Sequence, residues 1–128
     1  MTQLHALIID DNAMNLTVMS NLLNAMQIAY TTVQDETNVP RVLATLERLD
    51  LVFLDLALPN ADGYQILDLL QNTYGITVPI VACTVYANEI NTARQQGFHS
   101  FLTKPLDPVR FQRSVQQILN NQPVWETD

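Results

Sequence analysis

Leu51-Val52-Phe53-Leu54-Asp55-Leu56-Ala57-Leu58-Pro59-Asn60-Ala61-Asp62-Gly63 is the stretch that decides how this chain folds. Four apolar residues run straight into an acid, and Pro59 with the Asp62-Gly63 pair supplies turn and helix-start chemistry behind it. A short, continuous apolar run suits a strand buried on both faces of a parallel sheet. An aspartate closing such a strand stands at the carboxyl edge of the sheet, where open α/β folds bind their ligands.

The same pattern recurs on either side. Residues 4–9 are apolar apart from His5 and end at Asp10-Asp11. Residues 28–33 are mixed and β-branched, which suits a strand nearer the sheet edge. Residues 78–83 form another apolar run, with Pro79 near its start, where a missing N–H costs least, and Thr84 behind it. Residues 100–103 make a short last strand leading to Lys104-Pro105.

Helical patterns fill the gaps. Asn12 caps a segment whose Leu16, Met19, Leu23 and Met26 share one face. Thr37-Asn38 starts a second helix, with Pro40 tolerated in its first turn and Val39, Val42, Leu43 and Leu46 turned inward. Gly63 opens a third, carrying Ile66, Leu67 and Leu70 inward and stopping at Gly75. A weaker fourth spans residues 88–96, with Ile90 and Ala93 inward and Gly97 as its stop. Asp107-Pro108 begins the fifth, whose Phe111, Val115 and Ile118 face the core. Strand and helix thus alternate five times, which with right-handed crossovers builds a parallel five-stranded sheet with helices on both faces. Residues 1–121 are expected to form this single domain and residues 122–128 a C-terminal tail, loose from Val124 onward.

Composition narrows the function. A 48% hydrophobic content fills a core and excludes a disordered chain. The net charge is −7, and Lys104 is the only lysine, so a basic surface for nucleic acid is absent. No apolar run nears the roughly 20 residues needed to span a bilayer. The first residues carry no basic signal region, and a soluble cytoplasmic protein is expected. Cys83 is read as a small buried apolar group. His5 and His99 each lack a second ligand nearby and are assigned no metal or phosphotransfer role.

The strand ends collect Asp10, Asp11, Asp55, Thr84 and Lys104 in one cleft. Three converging carboxylates repel one another, and Lys104 offsets only one charge. A hard divalent cation supplies the rest, and Mg²⁺ suits a few carboxylates with waters left for a phosphate oxygen. A carboxylate can act as nucleophile and form an aspartyl phosphate. A metal, an ammonium and a hydroxyl aimed at the phosphoryl oxygens are the stabilisers such a transfer needs. Asp55, on the central strand, is the best-placed nucleophile.

These pieces closely resemble the receiver domain of bacterial two-component response regulators. The matching motifs are Ile8-Ile9-Asp10-Asp11-Asn12, Phe53-Leu54-Asp55-Leu56, Leu58-Pro59-Asn60-Ala61-Asp62-Gly63, Thr84, Gly97-Phe98 and Phe101-Leu102-Thr103-Lys104-Pro105. They run in family order from about residue 4 to residue 120. The resemblance implies a flavodoxin-like fold with strand order 2-1-3-4-5, for which a chemotaxis receiver is a known example. It implies phosphotransfer from a histidine kinase or phosphotransfer protein to Asp55. Mg²⁺ would be held by Asp10 or Asp11, Asp55 and the backbone carbonyl of Ala57. Thr84 and Lys104 would bind the phosphoryl oxygens, and loss of Lys104 is expected to leave folding nearly intact. Phe101 stands at the family's switch aromatic, coupled to Thr84, and the bond before Pro105 is commonly cis. The fourth helix, fifth strand and fifth helix would form the face for a downstream protein target, and a homodimer is compatible with the family. Val85 departs from the usual small residue. Ala57, Val85 and Tyr86 border the approach of a hydrolytic water, which implies slow self-dephosphorylation.

Two other functional classes compete with this reading. A receiver-like interaction module that is never phosphorylated shares every motif, and only Val85 favours it. A dehalogenase-type phosphatase needs an Asp-x-Asp spacing that Asp10-Asp11 lacks, and a flavodoxin phosphate loop would be repelled by that acidic pair.

Overall fold

The apolar runs become five strands: β1 (His5–Ile9), β2 (Ala29–Val33), β3 (Leu51–Leu54), β4 (Ile80–Thr84) and β5 (Ser100–Thr103). The computed structural model describes residues 3–126; Met1, Thr2, Thr127 and Asp128, the outermost residues of the expected domain and tail, lie outside the described residues. All five strands pair in parallel in the order β2-β1-β3-β4-β5. The flavodoxin-like arrangement expected from the sequence is therefore the one observed.

Alternation along the strands sorts the core into two layers. Leu7, Ile9, Val52, Leu54, Ile80, Ala82 and Phe101 line one face. They meet Val39 of α2 (Val39–Thr45), Ile66 and Leu67 of α3 (Gly63–Asp68), and Ala93 of α4 (Ile90–Gln96). Ala6, Ile8, Leu51, Phe53, Val81 and Leu102 line the other face. There they pack on Leu16, Met19 and Leu23 of α1 (Ala13–Ala25) and on Phe111, Val115 and Ile118 of α5 (Pro108–Leu119). Phe53 and Phe111 stack across that layer at 5.7 Å between centroids. Burying one such ring contributes about 1.5–3 kcal/mol.

The helix starts are fixed by local chemistry. The side chains of Asn12, Asp62 and Asp107 accept the backbone N–H groups of Asn15, Tyr64 and Arg110, and Pro108 follows the last of these caps. Three helices are shorter than the periodicity predicts. α2 stops at Thr45, whose hydroxyl donates to the Val42 carbonyl at 2.7 Å and competes with the next turn, so Leu46 lies beyond it in extended backbone. α3 widens into a π-type turn over Leu69–Thr73 before Gly75, which has φ 62°. A 3₁₀ turn, Ala87–Glu89, precedes α4.

The expected loose tail is corrected through residue 126. The Phe101 N–H donates to the Val124 carbonyl at 2.8 Å, and the Glu126 N–H donates to the Phe101 carbonyl at 2.9 Å. Trp125 thereby pairs in parallel with Phe101 and packs against the core. The cause lies in β5: it closes one side of the sheet, and the outward backbone groups of an edge strand need partners. Among the described residues no helix is long and apolar enough to cross a membrane.

Candidate functional site

Each site residue stands at or just beyond the end of a strand, and the ladder continues far enough to hold it. The Asp10 N–H donates to the Val33 carbonyl at 3.1 Å, the Asp55 N–H to Ile9 at 3.0 Å, and the Lys104 N–H to Thr84 at 2.8 Å. A second set of bonds then aims the side chains. Asp10 Oδ1 accepts the Asn12 N–H at 2.9 Å, Asp55 Oδ1 accepts the Ala57 N–H at 3.0 Å, and Thr84 Oγ1 accepts the Tyr86 N–H at 3.2 Å. The same turn, a side-chain oxygen capping the amide two residues on, is built on three separate strands.

The charges converge on the oxygens left over. Lys104 Nζ donates to Asp10 Oδ2 at 2.7 Å and lies 3.6 Å from Asp55 Oδ2. Asp10 and Asp55 are buried, and Asp11 is half-buried. Burial raises the pKa of Asp55, with the Asp10 charge acting in the same direction and the Ala57 N–H and Lys104 opposing it. Burial also works against the Lys104 ammonium, but the hydrogen bond to Asp10 and the surrounding negative charge lift its pKa above the ordinary lysine value.

One oxygen from each of Asp10, Asp11 and Asp55 lies within 4.8 Å of the other two. Like charges at about 4 Å repel by roughly 4 kcal/mol at an effective dielectric near 20. A single ammonium leaves this trio with excess negative charge, and its donors are all hard oxygens. That set fits Mg²⁺, which prefers a few carboxylates to a closed protein cage.

The remaining expected residues fall into two groups. Thr84 and Phe101 are fully buried, and Phe101 lies inside the α2–α3–α4 layer. Ala57 is exposed, and Val85 and Tyr86 are 59% and 53% exposed, so all three stand at the rim. The Lys104–Pro105 bond is cis. Cys83 is buried among apolar groups, which pushes its thiol up to about 12. The His5 Nε2 and the Thr31 hydroxyl lie 2.7 Å apart, and the His99 ring bonds Ser100 and Asn121, so both histidines are occupied locally.

Two further contacts brace the loop after Asp55 and the start of α4. Gly63 is needed because a Cβ there would fall 2.8 Å from the Leu56 Cα, so α3 starts hard against the loop that follows Asp55. The Tyr64 hydroxyl donates to Glu89 at 2.6 Å and ties α3 to the turn before α4. Such long-range polar pairs leave no periodic signal.

Comparison with known proteins agrees with this fold. The family model described as the response regulator receiver domain matches residues 6–116. An uncharacterised 14.6 kDa protein from Leptolyngbya boryana is 38% identical over 62% of the chain. The sensor histidine kinase GacS from Pseudomonas protegens is 31% identical over 88% of it. The chain spans 65% of the first relative's length and 12% of the second's. Among solved structures, the receiver domain of a sensor histidine kinase from Pseudomonas aeruginosa PAO1 superposes with a TM-score of 0.79 at 28% identity. That match covers 93% of this chain and 99% of the other, which holds a magnesium ion coordinated in its active site cleft.

Proposed function

The chain belongs to the response regulator receiver domain family of two-component signalling, and from that premise we propose that Asp55 accepts a phosphoryl group from a phosphohistidine on a histidine kinase or phosphotransfer protein. The observation that carries this reading is the placement of Asp55: its Oδ2 is 3.6 Å from Lys104 Nζ, and one of its oxygens lies within 4.8 Å of oxygens of Asp10 and Asp11. Oδ1 is already engaged by the Ala57 N–H, so Oδ2 is the oxygen left to react.

In the transfer, an Asp55 carboxylate oxygen forms a P–O bond as the P–N bond to the donor imidazole breaks. The bonding pair leaves with the imidazole nitrogen, and the phosphoryl oxygens keep their negative charge. Lys104 faces that charge. The Thr84 oxygen accepts the Tyr86 N–H, which leaves its hydroxyl proton free to donate to a phosphoryl oxygen. Mg²⁺ held by Asp10 or Asp11, Asp55 and the Ala57 carbonyl would supply the remaining positive charge.

The response follows from the same groups. A Thr84 hydroxyl turned toward the phosphoryl group leaves its bond to Tyr86 and opens space above β4. Phe101, paired with Ala82 across β4 and β5, fills that space without burying an unpaired hydroxyl. The change is read by a protein target at the face made by α4, β5 and α5.

Mass spectrometry after incubation with acetyl phosphate and Mg²⁺ tests the proposal. A single base-labile phosphoryl adduct, mapped to Asp55, is the expected result. Absence of any adduct, with the fold intact, would identify an interaction module that is not phosphorylated.

A further inference from the structure

Residues 124–126 occupy the face just assigned to a protein target. Their backbone is joined to β5 through both polar groups of Phe101. Their side chains alternate as in a strand: Val124 packs with the α1–α5 layer, and Trp125 packs with the α2–α3–α4 layer. The Arg94 guanidinium of α4 lies 4.5 Å from the Trp125 ring centroid. On the α5 side, Glu126 lies 3.4 Å from Arg110 and accepts the Ser114 hydroxyl at 3.4 Å. The Thr103 hydroxyl donates to the Glu126 carbonyl at 2.7 Å, and the Val124 N–H donates to Ser100 Oγ at 3.0 Å. Apolar, aromatic and acidic residues thus fill three adjoining subsites along one edge strand.

We infer that residues 124–126 are a displaceable sixth strand, an internal stand-in for an extended apolar–aromatic–acidic segment of a partner protein that adds to the edge of β5. The inference deepens the reading above, because it names the chemistry of the target at that face, yet it stands on contacts of its own.

Two features make the segment replaceable. Its acidic end is held partly in solvent: the Arg110 side chain is 43% exposed, and exposed ion pairs hold weakly. Its connection to α5 runs through Asn120, Asn121, Gln122 and Pro123, all exposed, with Asn121 in the left-handed region at φ 61°. Once the strand lifts, Phe101 presents a free N–H and C=O beside an emptied aromatic slot. Edges of this kind take up extended peptides in register. The tether gives the internal strand an effective concentration on the order of millimolar, so a partner must outcompete it or bind when it loosens.

The test uses the full chain and a fluorescein-labelled peptide of residues 120–126. Trp125→Ala should bind this peptide at least tenfold more tightly than the wild type, and the same peptide carrying Ala at the Trp125 position should not bind either protein. Glu126→Ala, which removes the segment's contacts to Arg110 and Ser114 and leaves β5 and the aromatic slot intact, should show a smaller gain in the same direction and keeps the test decisive if Trp125→Ala does not fold. Equal binding by wild type and loosened variants would overturn the inference. So would no binding by a variant whose circular dichroism and melting are native. A concentration-dependent dimer of the wild type, seen by sedimentation and dispersed by the peptide, would show that a second copy occupies the edge and would overturn it too. No phosphoryl donor is used, so this result and the labelling of Asp55 fail independently.

Discussion

The carboxyl edge of the sheet and the outer edge of β5 are built from the same resource, backbone groups that the ladder leaves over, and they resolve it in opposite ways. At the carboxyl edge, N–H groups of Asn12, Ala57 and Tyr86 each take a strand-end oxygen. The side chains are aimed, yet three carboxylates face one ammonium, so charge remains uncompensated. At the β5 edge, Val124, Trp125 and Glu126 satisfy both Phe101 groups and bring their own aromatic and acid. One region is prepared and calls for ligands from outside. The other is complete and must be opened before it can bind anything. Lys104 follows Thr103, the last residue of β5, so the two regions share a strand.

The comparison breaks first at Asp55. Asp55→Asn should lose all labelling by acetyl phosphate, because an amide cannot form the acyl phosphate, while the β5 edge keeps its structure. Full labelling of that variant would move the prepared site elsewhere.

Removing the excess charge comes next. Asp10→Ala combined with Asp11→Ala should weaken Mg²⁺ binding by on the order of tenfold or more, read from NMR shifts of the Asp55 and Ala57 amides during a titration. Affinity unchanged within twofold would mean that these carboxylates only shape the turn before α1.

Lys104→Ala tests whether the site is held together as well as aimed. Its ammonium is bonded to Asp10 at 2.7 Å in a setting that is largely buried. Breaking one partner from a buried pair leaves the other uncompensated and costs about 3–5 kcal/mol. The urea midpoint should therefore fall, and millimolar Mg²⁺ should restore part of it by neutralising the carboxylates left unpaired. An unchanged midpoint would return Lys104 to the role of phosphate reader alone.

That last expectation differs from what the sequence suggests, and the reason is physical. Strand positions were legible because burial on both faces leaves an unbroken apolar run, as in Leu51-Val52-Phe53-Leu54, and an acid at its end is then placed by geometry. Helix starts were legible in Asn12, Asp62 and Asp107 because caps act over three residues. The 2.7 Å contact between Lys104 and Asp10 joins residues 94 apart in the chain, and neither periodicity nor capping reports it. The same holds for Trp125, which reads as a tail residue after Pro123 until the free edge of β5 is known. Helix lengths were missed where side chains compete with backbone, as Thr45 does at the end of α2.

The smallest expected effect lies at the rim, at the exposed residues Ala57, Val85 and Tyr86. Hydrolysis of an aspartyl phosphate needs a water in line with the phosphorus and the Asp55 oxygen. Ala57 has no polar side-chain atom to hold that water, and Tyr86 has the bulk to displace it. The exposure of Val85 and Tyr86, 59% and 53%, limits how firmly either can shield the approach. A rim group that alters water placement without touching the phosphoryl oxygens is worth about 0.5–1 kcal/mol of barrier, or roughly a two- to fivefold change in rate. Tyr86→Glu should therefore shorten the phosphoryl half-life by that factor, since a carboxylate orients water where the phenol excludes it. Val85→Ala should speed uptake from acetyl phosphate by a similar factor through easier access. The Tyr86 N–H, which caps Thr84 before phosphorylation, is kept in both variants, so neither alters the starting position of the hydroxyl. Half-lives followed by loss of the adduct in Mg²⁺ decide the matter. A wild-type lifetime of seconds, unaffected by either substitution, would place the control of hydrolysis inside the site and leave the rim without a part in it.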